Sequence, residues 1–292
     1  MLGRPPVEAE RGVVTSARDG RAVGRPVQAQ VAGDSPGRRH TPGQVSAGVW
    51  SGVLQPAVPP QTIPATAAVF GVFSLLLALV VYLIVPWLAA AFGVPGLVAW
   101  YVAGTLVVLL PMLVFAVLMA RRETASGGLL ALALRLRLGR LSGADVAWAF
   151  GGTLAAVLLT GAIAAVARVV DPAFVAGPPF LRDSAGWPVP WLLVAWLPLY
   201  VSNILGEELC WRGYLLPRQE AVSGRATGLL NGLFWCLFHW SFGWQIMLLT
   251  LPLALVLPAV VQRRRNTWIG ILIHGVFNAG GFAAVLAGVG AA

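Results

Sequence analysis

From Ala65 to the C-terminus the chain is a succession of long apolar runs, and this feature excludes most soluble folds. A run of ~20 mostly apolar residues crosses the hydrocarbon core of a bilayer. There it must satisfy its own backbone polar groups, so it spans as a helix. Seven such runs are read from the sequence, at about 66–91, 97–119, 146–169, 189–207, 226–242, 245–261 and 267–289. The first contains Pro86 and the second Pro111, which spanning helices tolerate as kinks when neighbours satisfy the freed carbonyls. The expected fold is therefore an all-α polytopic membrane protein of about seven transmembrane helices, the last four forming a C-terminal core.

Residues 1–62 read differently. They are rich in Gly, Pro, Arg and Ser without periodicity, the signature of a disordered tail, and they lack the apolar core and cleavage site of a signal peptide. Three regions are expected: the tail (1–62), three N-terminal spans with an arginine-rich cytoplasmic loop (63–187), and the C-terminal core (188–292).

A net charge of +9 would ordinarily point to nucleic acid. Here every basic residue is Arg, and the arginines gather in the loops between apolar runs. That pattern fits membrane topology, so the bilayer and not nucleic acid is the expected partner. Arg121, Arg122, Arg135, Arg137, Arg140, Arg212, Arg218, Arg225 and Arg263 to Arg265 fall on one side, against only Arg168 and Arg182 on the other. By the positive-inside rule the N-terminus is cytoplasmic and the C-terminus outside. Trp187, Trp191, Trp240 and Trp244 suit the opposite interface. The absence of Lys reads as the codon bias of a GC-rich source, hence a bacterial plasma membrane. The Leu/Arg alternation over 129–141 is expected to form an interfacial helix with snorkelling arginines.

Against this apolar background the ionisable groups stand out, because burying one in hydrocarbon costs roughly 2.5–3.5 kcal/mol on insertion scales. After the tail the only histidines are His239 and His274, both inside apolar runs, and the pair Glu207–Glu208 closes the fourth run. Arg212, four residues after Glu208, shares its helix face as an ion partner, which leaves Glu207 free to face elsewhere. His274 and Asn278, also four apart, share a face of the seventh run. A Glu with a His can act as general base on a water, and a second His with a carboxamide can donate to an oxyanion. Those are the parts for peptide hydrolysis without a Ser or Cys nucleophile. Cys210 and Cys236 read as small buried hydrophobes, and Trp196, Trp235 and Trp268 as packing or interface residues.

Glu207-Glu208-x-x-x-Arg212, then Trp235-x-x-x-His239, then His274-x-x-x-Asn278 resemble, in order, the three motifs of the CAAX prenyl protease and bacteriocin-processing (CPBP) family of intramembrane endopeptidases. The resemblance covers about residues 188–289, with Trp235 where the family usually has Phe. It implies that Glu207 with His239 activates water, that His274 and Asn278 stabilise the oxyanion, and that Glu208 and Arg212 hold the first motif. The implied activity is endoproteolysis of a membrane-tethered or lipidated peptide or protein, of glutamate type and without a cofactor. Zinc is the alternative, and Glu207, His239 and His274 would be its ligands. A non-catalytic immunity or scaffold protein binding a peptide or partner in the same cavity is the alternative function.

Helix rise poses one difficulty. With Glu207 at the end of the fourth span, His239 near the far end of a full-length fifth span would lie out of reach. Either the fifth span is short or tilted, or it begins nearer Leu229, or the Glu pair lies deeper.

Overall fold

Prolines decide where the long helices of this protein change pitch. The computed structural model describes residues 58–124, 127–184 and 186–286, so residues 1–57 of the expected tail lie outside the described residues. Helix α1 (Ile63–Phe92) starts at Thr62, whose hydroxyl accepts from the Ala65 amide, and α2 (Gly96–Glu123) follows a short turn. Each contains a π-helical segment, Val80–Ile84 and Gly104–Leu109, placed just before Pro86 and Pro111. Proline cannot donate to the carbonyl four residues back and its ring clashes with it. Widening the preceding turn relieves both problems without ending the helix.

The remaining helices are α3 (Leu129–Arg135), α4 (Gly143–Val170), α5 (Val189–Glu207), α6 (Leu216–Ser223), α7 (Thr227–Phe238), α8 (Trp244–Arg264) and α9 (Thr267–Leu286). A third π-helical segment, Glu208–Leu215, joins α5 to α6 directly ahead of Pro217. The Gly213 carbonyl, which Pro217 cannot serve, accepts from buried Arg135 at 3.2 Å instead. No strand occurs among the described residues. Five helical stretches are long and apolar enough to cross a membrane: Ile63–Phe92, Gly96–Glu123, Gly143–Val170, Val189–Phe238 and Trp244–Arg264. Thr267–Ala283 is apolar but shorter. The fold is that of an all-helical membrane protein.

Two of the expected runs, 189–207 and 226–242, thus belong to one helical stretch that does not stop at the Glu pair. Ser223 lies sixteen residues beyond Glu207, roughly 24 Å at ~1.5 Å per residue. The stretch turns back only at Gly224, whose φ of +51° is open to glycine, and α7 then runs 12 residues before ending at His239. At ~1.5 Å each this is ~18 Å, too short to span, and it brings Trp235 and His239 level with Glu207. The convergence difficulty is resolved from both sides: the fifth helix is short and the carboxylates are deep.

Helix α7 packs closely on α8, where a Cβ at Gly232 would collide with the Ala254 carbonyl, and α4 covers α8 and α9. Helix α5 packs on α2, where a Cβ at Gly206 would come within 2.6 Å of the Leu109 carbonyl oxygen, and it contacts α9 along its other side. Ion pairs collect at one end. Glu123 pairs with Arg135 and Arg218, Arg137 with Glu220 at 2.5 Å, and Arg264 with Asp145 at 2.8 Å beside the Ser142–Asp145 capping box. The expected snorkelling helix over 129–141 is therefore corrected. Only Leu129–Arg135 is helical, Arg137 turns the chain with φ of +57°, and both arginines point inward to carboxylates. Leu129 and Leu130 are exposed at its start, and Arg140 and Leu141 at its end.

Candidate active site

The Glu pair is buried because its helix continues through it. Glu208 and Arg212 have no exposed side-chain surface, and Arg212 Nη1 donates to Glu208 Oε1 at 3.1 Å. A lone charge in this setting would cost several kcal/mol, so the pair exists only as a unit. Arg212 is therefore an internal residue and not one of the loop arginines that set topology. Its guanidinium lies 3.8 Å over the Trp235 ring, whose face supplies the attraction that its unpartnered Nε and Nη2 lack from hydrogen bonds. At Gly270 a Cβ would collide with Glu208 Oε2, so α9 carries glycine where the carboxylate passes.

Helices α5 and α9 run antiparallel, which matches Glu208 to His274 and Asn203 to Asn278, and the long Tyr200 side chain reaches out of that register to Gly275. His274 Nδ1 is 2.9 Å from Glu208 Oε1, Asn278 Nδ2 is 2.7 Å from Asn203 Oδ1 and 3.2 Å from His274 Nε2, and the Tyr200 hydroxyl donates to the Gly275 carbonyl at 3.0 Å. Glu207 accepts from Asn203 Nδ2 through one oxygen and from the Trp235 indole N–H through the other. The contacts close into a ring: Glu207, Asn203, Asn278, His274, Glu208, Arg212, Trp235 and back to Glu207.

The direction of every hydrogen in that ring follows from one fact, that a carboxylate only accepts. Asn203 must turn its nitrogen to Glu207 and so presents its oxygen to Asn278. Asn278 must answer with its nitrogen, which also donates to His274 Nε2. His274 Nε2 is thereby the acceptor and Nδ1–H the donor to Glu208. The imidazole tautomer is set by two carboxylates on the neighbouring helix.

His239 sits half-buried at the C-terminal cap of α7. Its Nδ1 is 2.9 Å from the Trp235 carbonyl oxygen, which can only accept, so Nδ1 carries the proton and Nε2 keeps its lone pair. The Trp235 ring contacts both imidazoles edge-on, with centroids 5.8 Å from His239 and 5.1 Å from His274. No direct Glu207–His239 hydrogen bond forms among the described residues, because the one N–H of this tautomer goes to the Trp235 carbonyl and Nε2, like the carboxylate, only accepts. Cys236 bonds the Met247 carbonyl at 3.4 Å and Cys210 is fully buried, both as packing residues.

Of the sequence-derived site residues, Glu208, Arg212, His274 and Asn278 are joined directly, Glu207 joins them through Asn203 and Trp235, and His239 lies one helical turn from Trp235. Two participants were missed by sequence. Trp235 was read as packing, although an indole N–H four residues before a membrane histidine is a donor in need of a partner. Asn203 was not singled out, although it is a carboxamide inside an apolar run, four residues before Glu207 and on the same face.

Both ring nitrogens of His274 and both oxygens of Glu207 are engaged, and no group of three His, Cys, Asp or Glu with metal-ligating geometry occurs among the described residues. Two apolar grooves of about 370 and 500 Å³ run between α4 and α8, and no residue of the ring lines either.

Residues 189–280 match the family model described as type II CAAX prenyl endopeptidase, Rce1-like. The match bears out the CPBP resemblance read from the three motifs, and it spans α5 through most of α9. Neither the curated proteins nor the solved structures provide a match. Residues 189–280 are thus similar to a CAAX-type prenyl endopeptidase, within a chain whose long apolar helices are those of an integral membrane protein.

Proposed function

We propose that the protein is a metal-free, glutamate-dependent intramembrane endopeptidase, and the ring joining Glu207 to His274 through Asn203 and Asn278 is the observation that supports this reading. Glu207 takes a proton from the attacking water, with His239 Nε2 offering its lone pair to the same water. The water oxygen bonds to the scissile carbonyl carbon, and the carbonyl oxygen becomes the oxyanion. His274 takes a second proton, at Nε2, from bulk water before the substrate binds and keeps it through the turnover, with Glu208 balancing the imidazolium across Nδ1. It donates that N–H to the oxyanion without transferring it. Protonation at Nε2 also releases the Asn278 hydrogen that Nε2 accepts in the ring, so both residues then direct N–H groups at one position. Protonated Glu207 returns its proton to the leaving amine, which closes the cycle with one water added across the peptide bond.

The substrate is a membrane-tethered or lipidated peptide or protein. We place the arginine-rich end of the bundle, formed by the Glu123, Arg218 and Asp145 ion pairs, in the cytoplasm. The test is cleavage of quenched fluorescent peptides anchored in vesicles that contain the purified full chain. One peptide set carries a prenylated C-terminal Cys-aliphatic-aliphatic-X, and another is held by an apolar helix alone. Glu207→Gln should abolish cleavage, and wild-type cleavage should survive chelation. Loss on chelation with recovery on zinc would refute the metal-free mechanism. Failure of folded wild type to cut any peptide would leave the non-catalytic binding function in its place.

A further inference from the structure

Asn203 belongs to none of the three motifs, yet its carboxamide directly bridges the two halves of the site. Its nitrogen is 2.5 Å from Glu207 Oε1 and its oxygen 2.7 Å from Asn278 Nδ2. We propose that Asn203 is a positioning residue that sets the general base on α5 in register with the oxyanion donor on α9. This rests on the hydrolytic reading given above and adds to it the residue that couples its parts.

Three observations support the role. The i,i+4 spacing on α5 places Asn203 on the Glu207 face, while Asn278 approaches from a different helix, so the bridge ties two elements and not two neighbours in sequence. A carboxamide in an apolar span is unfavourable beside a leucine unless its hydrogen bonds compensate, and both of its polar atoms here are spent on site residues. Directionality supplies the third. Asn203 Oδ1 fixes one Asn278 hydrogen, which leaves the other to be released toward the oxyanion when His274 is protonated. Without Asn203, Glu207 Oε1 loses its donor and the Asn278 amide is free to rotate.

Asn203→Leu is nearly isosteric and removes both hydrogen bonds, whereas Asn203→Gln keeps the carboxamide. With full chain in vesicles, Asn203→Leu should lower kcat about 10- to 100-fold, the loss of one hydrogen bond to a charged group. KM should stay within about twofold, and the melting temperature should fall by no more than a few degrees, since the loss of a partner for Glu207 and Asn278 is offset in part by an apolar residue replacing a polar one in a span. Asn203→Gln should recover part of kcat. Asn203→Ala, measured in parallel, covers the case that Leu does not fit. Glu207→Gln inactive with Asn203→Leu at wild-type kcat would overturn the role of Asn203 and leave the glutamate mechanism standing. Cleavage retained in Glu207→Gln, or absent in wild type, would overturn the mechanism and the proposal with it. A fall of kcat alongside a fall of melting temperature beyond those few degrees, with neither rescued by Asn203→Gln, would make Asn203 structural and would equally overturn the proposal.

Discussion

Replacing Arg212 with Met keeps a long apolar stem of similar reach and removes only the guanidinium. Glu208 would then be a fully buried carboxylate with His274 as its one remaining partner, since its Oε2 has none. Breaking a buried pair from one side costs roughly 3–5 kcal/mol. Loss of the cation over the Trp235 ring adds about 1–2 kcal/mol at a desolvated site. For a chain of this size each kcal/mol moves the melting temperature by roughly 2–4 °C, so a fall on the order of 10 °C is expected in detergent or vesicles. The double variant Glu208→Gln/Arg212→Met removes both charges and should recover most of that loss, because an uncharged replacement leaves nothing stranded. Scanning calorimetry or a thiol-independent thermal shift assay on the four proteins of this cycle gives the coupling directly. A single variant within about 1 kcal/mol of wild type would refute the reasoning. So would a double variant that is no more stable than Arg212→Met.

The same geometry makes two shorter predictions. Gly270→Ala places a methyl against Glu208 Oε2 with Val261 behind it at 3.2 Å; it should destabilise the protein by about 1–3 kcal/mol and lower kcat at least tenfold, measured by thermal shift and peptide cleavage, and wild-type values for both would show that the carboxylate can move aside. Trp235→Phe keeps a ring under Arg212 but deletes the N–H that Glu207 accepts; kcat should fall roughly tenfold with the melting temperature held, whereas Trp235→Leu should lower both.

Sequence legibility ended where local pattern ended. The apolar runs specified helices because nothing else satisfies a backbone in lipid, and i,i+4 spacing specified the Glu208–Arg212 and His274–Asn278 faces. Glu207–Glu208 was misplaced for a physical reason: a run of charges reads as the end of a span when its neutralising partners lie on other helices. Arg212 is adjacent in sequence, but His274, Gly270 and Trp235 are brought to the carboxylates only by packing. Ahead of Pro217 the helix widens into a π segment, and Arg135, from the remote helix α3, serves the Gly213 carbonyl. Arg135 and Arg137 were misassigned in the same way, since their carboxylates, Glu123 and Glu220, lie outside the 129–141 segment.

That dependence on remote partners explains why polar groups so costly in a membrane form a closed circuit and not scattered pairs. Each member has a partner on another helix or an adjacent turn, so no single helix can shift without stranding a group in a low-dielectric interior. Helix α5 cannot slide on α9 without breaking both Asn203–Asn278 and Glu208–His274, and α7 cannot leave without removing the Trp235 N–H from Glu207. The apolar contacts among these helices are non-directional and would tolerate small displacements. Register between base and oxyanion donor must therefore come from the directional bonds, and its accuracy from their being linked. Trp235 also joins Glu207 to α9, but only by ring contact with His274. Asn203 is therefore the hydrogen-bonded link from Glu207 to α9 among the described contacts, and the position where a loss of register can be produced with the least change in packing.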